Sequence, residues 1–141
     1  MISGLGSANK VVLAGSGGIS TGAFNGLVTR AILADAFGNY DSTNGFVPFT
    51  AFSTSAPDAL ALTDTGSITA NLSLSASRAI NALKISSATL SGPGSGLYLT
   101  SGGLLATGGN SVLDLNVLQA GSVLYANVGA GASLALNGGI V

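Results

Sequence analysis

The sequence predicts an all-β chain, a right-handed parallel β-helix (β-solenoid) with a loop-rich insertion near its N-terminal third, and three observations carry that expectation. From Ala59 onward apolar residues fall in pairs two positions apart: Leu60/Leu62, Leu72/Leu74, Leu83/Ile85, Leu97/Leu99, Leu113/Leu115 and Leu134/Leu136. A spacing of two puts both members of a pair on one face of a strand. Between the pairs lie runs such as "SGPGSG", "SGGLLATGG" and "GAGAS", whose small residues have the composition of turns. Helical spacing is not sustained anywhere, and each of the 22 glycines would cost a helix interior about 1 kcal/mol.

The elements follow in chain order. The opening "MISGLGSANKVVLAG" goes straight into an apolar strand and lacks the cationic start and continuous apolar run of a secretory leader. Residues 21–57 are the least repetitive stretch and form the expected insertion. They hold Phe24, Phe37, Tyr40, Phe46, Phe49 and Phe52, most of the chain's 5 Phe and 3 Tyr, together with Arg30, Asp35 and Asp41. Beyond them, short strands alternate with turns at roughly 8 to 12 residue intervals, a rhythm that suits a sandwich, a barrel or a solenoid. The solenoid is preferred because each strand offers two inward residues, the turns are small enough for coils to stack, and Leu, Ile and Val fill a narrow core of like on like. A sandwich would want longer strands and more large aromatics. The whole chain, 1–141, is expected to be one solenoid domain or a segment of a longer array.

Composition narrows the function. Charged residues make up 6% of the chain and the net charge is −1, so the clustered Lys and Arg that neutralise phosphate are missing and nucleic-acid binding is excluded. Mean hydropathy is positive, yet no apolar run approaches the ~20 residues of a spanning helix, so no transmembrane segment is expected. A membrane barrel would want aromatic girdles, and aromatics are 6% with no Trp.

Catalytic chemistry finds few residue types to work with. The chain has no His, Cys or Glu, which removes disulfides, thiolate and imidazole metal sites, and the Ser–His and Cys–His pairs that activate nucleophiles. The five carboxylates, Asp35, Asp41, Asp58, Asp64 and Asp114, are scattered, mostly beside turn residues. A Ca²⁺-dependent lyase would need several converging on one ion, and a glycosidase two flanking one bond. No catalytic, cofactor-binding or metal-binding residue is therefore expected. "GLGSAN", "GSGGIS" and "GPGSG" lack the remaining glycines of a dinucleotide fingerprint and the Lys of a phosphate loop. Asn71-Leu72-Ser73 fits a glycosylation sequon but is expected inside a strand.

Residues 68–141 carry a resemblance. "INALKI" followed by "ATLSG", then "LYLTSGGLLATGGN", then a coil ending "LALNGGI" is similar to the autotransporter-associated β-strand repeat proteins, large secreted or surface proteins of planctomycetes and related bacteria. The segment "NGLVTRAILADAFGNYDSTNGFVPFTAFST" resembles the insertions such proteins place between groups of coils. The resemblance implies a β-solenoid outside the cell or on its surface, and implies no catalytic residues.

The functional expectation is therefore a structural protein that self-associates, end to end or laterally, into a fibre or sheath. A solenoid's terminal coils expose strand edges and an open core unless capped, and neither "NKVVLAG" nor "SLALNGGIV" looks like a cap. The alternative is an adhesin contacting a surface glycan or partner through the insertion, with Phe24, Arg30, Phe37, Tyr40, Phe46 and Phe49 as its binding residues. Against that alternative stands the expectation that the aromatics fold back onto the coils. Asn81 is expected either in an asparagine ladder at a solenoid corner, bonding the coils above and below, or as a solvent-exposed turn residue. Arg78 and Lys84 are expected to be surface charges, with Asp64 or Asp114 in adjacent coils as the candidate partners for an ion pair. Ice binding wants a regular Thr-x-Thr array, and only Thr63-Asp64-Thr65 occurs.

Overall fold

The computed structural model of the chain describes residues 27–41, 44–120 and 123–141. They fall into two compact units that divide between Thr50 and Ala51, a boundary that lies inside the segment 21–57.

The first unit corrects the expectation of loops. Its described part is a three-stranded antiparallel meander of β1 (Leu27–Leu33), β2 (Ala36–Asp41) and β3 (Gly45–Pro48). β1 and β2 join through Ala34 and Asp35, both left-handed with φ of 48° and 60°. Two successive positive φ values are what a tight hairpin turn needs to match the twist of its strands. Tyr40 and Phe46 are directly opposed across β2 and β3, and their rings meet edge to face with centroids 5.4 Å apart. Such aromatic pairs stabilise a sheet by roughly 0.5–1.5 kcal/mol. Phe37 is fully buried, and the Phe49 N–H donates to its carbonyl at 2.7 Å. Aromatics clustered in an unrepetitive segment suggest a loop, yet they are also good strand formers.

The second unit is a parallel β-solenoid of about three turns. Its strands are β4 (Thr65–Ile68), β5 (Leu72–Ser73), β6 (Arg78–Ser86), β7 (Thr89–Thr107), β8 (Asn110–Ala120), β9 (Tyr125–Val128) and β10 (Ser133–Ile140). All the pairings among them are parallel. The register defines three walls. On the first, Ile68 pairs with Ile85, Ile85 with Ala106 and Ala106 with Val128, so successive coils take 17, 21 and 22 residues. On the second, Leu72, Leu90, Leu113 and Leu136 stack. On the third, Arg78, Leu97, Leu118 and Ile140 stack.

The inward rows make one core. Leu83, Ile85, Leu97, Leu99, Leu104, Ala106, Leu113 and Leu115 all belong to it. Five of the six expected pairs face that core, with Leu134/Leu136 only partly buried. Leu60/Leu62 is the exception: the chain there is not a strand, Leu60 is buried and Leu62 is exposed. "SGGLLATGG" was expected to be a turn throughout, but Leu104 and Ala106 within it form a rung of the first wall. Turning occurs only at its flanks, at Gly102 and Gly108, with φ of 71° and 74°. The corner between first and second walls uses a left-handed residue in three successive coils: Ser87, Gly108 and Gly131.

Candidate functional site

The polar residues at the corners were expected to be turn formers, and they do more than turn. Many of them bond the adjacent coil, one coil length away in sequence. The Asn71 Oδ1 accepts from the Thr89 N–H at 2.8 Å, the Ser77 Oγ from the Gly96 N–H at 2.9 Å, and the Ser87 Oγ from the Gly109 N–H at 2.8 Å. Ser133 donates its hydroxyl to the Asn110 Oδ1 at 2.8 Å. The sequon asparagine thus has a structural bond, and it precedes β5 rather than lying within it.

Asn81 sits where the β6–β7 register shifts and is 1% exposed. Its side-chain amide donates to the Thr65 Oγ1 in the coil before at 2.9 Å, and its backbone carbonyl accepts from the Ser101 hydroxyl in the coil after at 2.7 Å. The side chain thus bonds one neighbouring coil through Thr65, and the backbone bonds the other through Ser101. Its Oδ1 is buried without a hydrogen-bond partner.

The charges pair differently from expectation. Arg78 Nε lies 3.7 Å from Asp58 Oδ1, rather than against Asp64 or Asp114. The spacing of 20 residues is that of one coil, and this signal was available in the sequence. Asp58 also accepts from the Ser75 N–H at 3.1 Å. Hydrogen bonds from the Ser75 hydroxyl and backbone, with the Arg78 charge added, hold the Asp58 carboxyl below the usual carboxylate value. The Lys84 ammonium lies over the Phe52 ring, 5.4 Å from its centre, so this aromatic does fold onto the coils.

Of the adhesin candidates, Phe37 and Phe49 are buried, and Tyr40 and Phe46 are half-buried against each other. Arg30 falls in the irregular stretch of β1 between Val28 and Ile32. Phe24 lies outside the described residues. Among the described residues these aromatics are buried or paired with each other.

Two other places are better candidates. The first is the last coil: Val128 is 50% and Ile140 53% exposed, while Leu134 and Leu136 are only partly covered. Among the described residues β10 pairs with β8 alone, so its other edge carries no strand. The second is an open groove of about 450 Å³ where the chain turns from the second wall to the third, lined by Arg78, Tyr98, Asn116 and the glycines 94 and 96. Neither Tyr98 nor Asn116 stands out in the sequence, because only the coil register brings them beside Arg78.

Among the described residues no group of three or more carboxylates is placed to hold a metal ion, and no helix is long and apolar enough to cross a membrane. The topology defines the class, a parallel β-solenoid. Compared with protein families, curated proteins and solved structures, the chain matches none of them.

Proposed function

We propose that the chain is a structural β-solenoid, without enzymatic activity, that assembles end to end or laterally into a fibre or sheath. The observation that carries this reading is the contrast in cover along one stack: Ile68 is 2% exposed and Val128 50%. A further coil laid on β9 and β10 would pair their free edge and bury Val128, Leu134, Leu136 and Ile140. Burial of that kind yields about 25 cal/mol per Å² of apolar surface. The scarcity of charge supports the same reading, since walls of Ser, Thr, Asn and Gly can lie against like walls in a fibre or sheath without desolvating ions. The likeness of residues 68–141 to autotransporter-associated repeat proteins is in keeping with this role and with a place outside the cell or on its surface.

The far end bears on the mode of assembly. Beneath the first coil, Ser53 bridges to Gly66, Pro57 and Leu60 are buried, and a β-carbon at Gly66 would lie 2.9 Å from the Leu60 Cδ1. That end is covered by residues 51–60, whereas among the described residues the coil of β9 and β10 has an unpaired edge. Electron microscopy of the purified chain across a concentration series tests the proposal. Filaments or pairs joined at that coil, with stacking near 4.8 Å and abolished by Leu136→Asp, are expected. Discrete single particles at high concentration would overturn it.

A further inference from the structure

We infer that the groove beside Arg78 is a binding site for a carboxylate-bearing saccharide. The inference is independent of end-to-end stacking, because the groove lies on the wall of the solenoid.

The argument begins with the guanidinium. Arg78 belongs to the third-wall stack of Leu97 and Leu118, and it is the one cation among them. Its Nε is buried and donates no hydrogen bond, since Asp58 at 3.7 Å is beyond hydrogen-bonding distance. Both Asp58 oxygens instead accept from the Ser75 N–H. The side chain as a whole is 37% exposed, so the outer part of the guanidinium is what faces the groove. Among the described residues Arg78 is the only charged one lining the groove. The group it suits best is a carboxylate, which the planar guanidinium can hold through two parallel hydrogen bonds.

The neighbours select the rest of the ligand. Tyr98 is half-buried in the outward row and lines the groove beside Arg78. It offers an apolar ring face with a polar tip, suited to the alternating C–H and hydroxyl surfaces of a sugar ring. Asn116 is exposed on the groove's rim and supplies both a donor and an acceptor for hydroxyl groups. Gly94 is left-handed, with φ of 81°, and a β-carbon there would meet nothing, which leaves that side open. The volume of about 450 Å³ lies within the ~300–1,000 Å³ of small-molecule sites. An open trough of this kind takes the side of a chain more readily than it encloses a free metabolite.

The test is an NMR titration of the whole chain with a glucuronic acid oligomer, a neutral glucose oligomer of equal length, and inorganic phosphate. The uronate is expected to shift the amides of residues 77–79, 94–98 and 116 and to bind at least tenfold tighter than the neutral oligomer. Arg78→Gln should lower uronate affinity tenfold or more, while Arg78→Lys retains part of it. Asp58→Asn should raise it severalfold by removing the competing carboxylate. Thermal unfolding of each variant verifies that the fold persists. Equal binding of the acidic and neutral oligomers, no shift at those amides, or phosphate acting as strongly as the uronate would each overturn the assignment.

Discussion

Ile68 and Val128 occupy the same position on the first wall, three coils apart, yet one is 2% exposed and the other 50%. The residues are chemically alike, so the difference lies in what covers them. Ile68 has Ile85 stacked above it, and its coil rests on the segment holding Ser53, Pro57 and Leu60. Val128 has Ala106 on one side and no described residue paired on the other. A rung of a solenoid is a core residue only when both neighbouring coils are present, because each coil buries its apolar row against the next. Stability should therefore be high in the middle, intermediate at the covered end and low in the last coil.

The largest effect expected from this gradient comes from truncating one rung at two heights. Leu104→Ala, at a fully buried site in the middle of the stack, should cost about 3–5 kcal/mol. Leu136→Ala, on the partly covered last coil, should cost less than about 1 kcal/mol. Urea unfolding of the two variants measures both, and equal losses would break the comparison.

A smaller contrast concerns the polar ties. Asn81→Ala removes a buried bond linking two coils and should cost about 1 kcal/mol or somewhat more. Ser133→Ala removes an exposed bond to Asn110 in the last coil and should cost no more than a few tenths of a kcal/mol. The same denaturation experiment separates them, and the reverse order would contradict the gradient.

The smallest expected effect is a pH dependence at the covered end. The carboxyl of Asp58 titrates below its ordinary value of 3.8 in the folded chain. The folded state thus binds fewer protons than the unfolded one in that range. The stabilisation is complete above about 3.8 and is lost as pH falls through the lower folded value. Asp58→Asn should flatten the acid limb of a stability profile relative to the parent chain, and an unchanged acid limb would show that the Ser75 and Arg78 contacts contribute nothing.

The solenoid was legible wherever apolar spacing did the work. Leu83/Ile85, Leu97/Leu99 and Leu113/Leu115 alternate cleanly, and all six are core residues. Leu60/Leu62 shows the same spacing, but nothing in a two-residue pattern distinguishes a strand from a capping segment. The rung at Leu104 and Ala106 was hidden for the opposite reason, because glycines at both ends made a wall look like a turn. The meander of residues 27–48 was obscured by polar and aromatic residues that read as a loop, although its hairpin pairing organises them. The groove was not legible at all. Arg78, Tyr98 and Asn116 are separated by intervals that become contacts only after two register shifts, at Ile80/Ala82 and at Gly92/Gly96, are known.

The measurement that tests the central claim most directly is residue-resolved amide hydrogen exchange of the chain in dilute solution. Protection is expected to be greatest in β6, in β7 and in the part of β8 that pairs with β7, and to fall sharply in β9 and β10, whose free edge and exposed row make local opening easy. Raising the concentration should restore protection to β9 and β10 first. Uniform protection from β4 to β10 at every concentration would contradict the account, because it would mean that the last coil needs no neighbour.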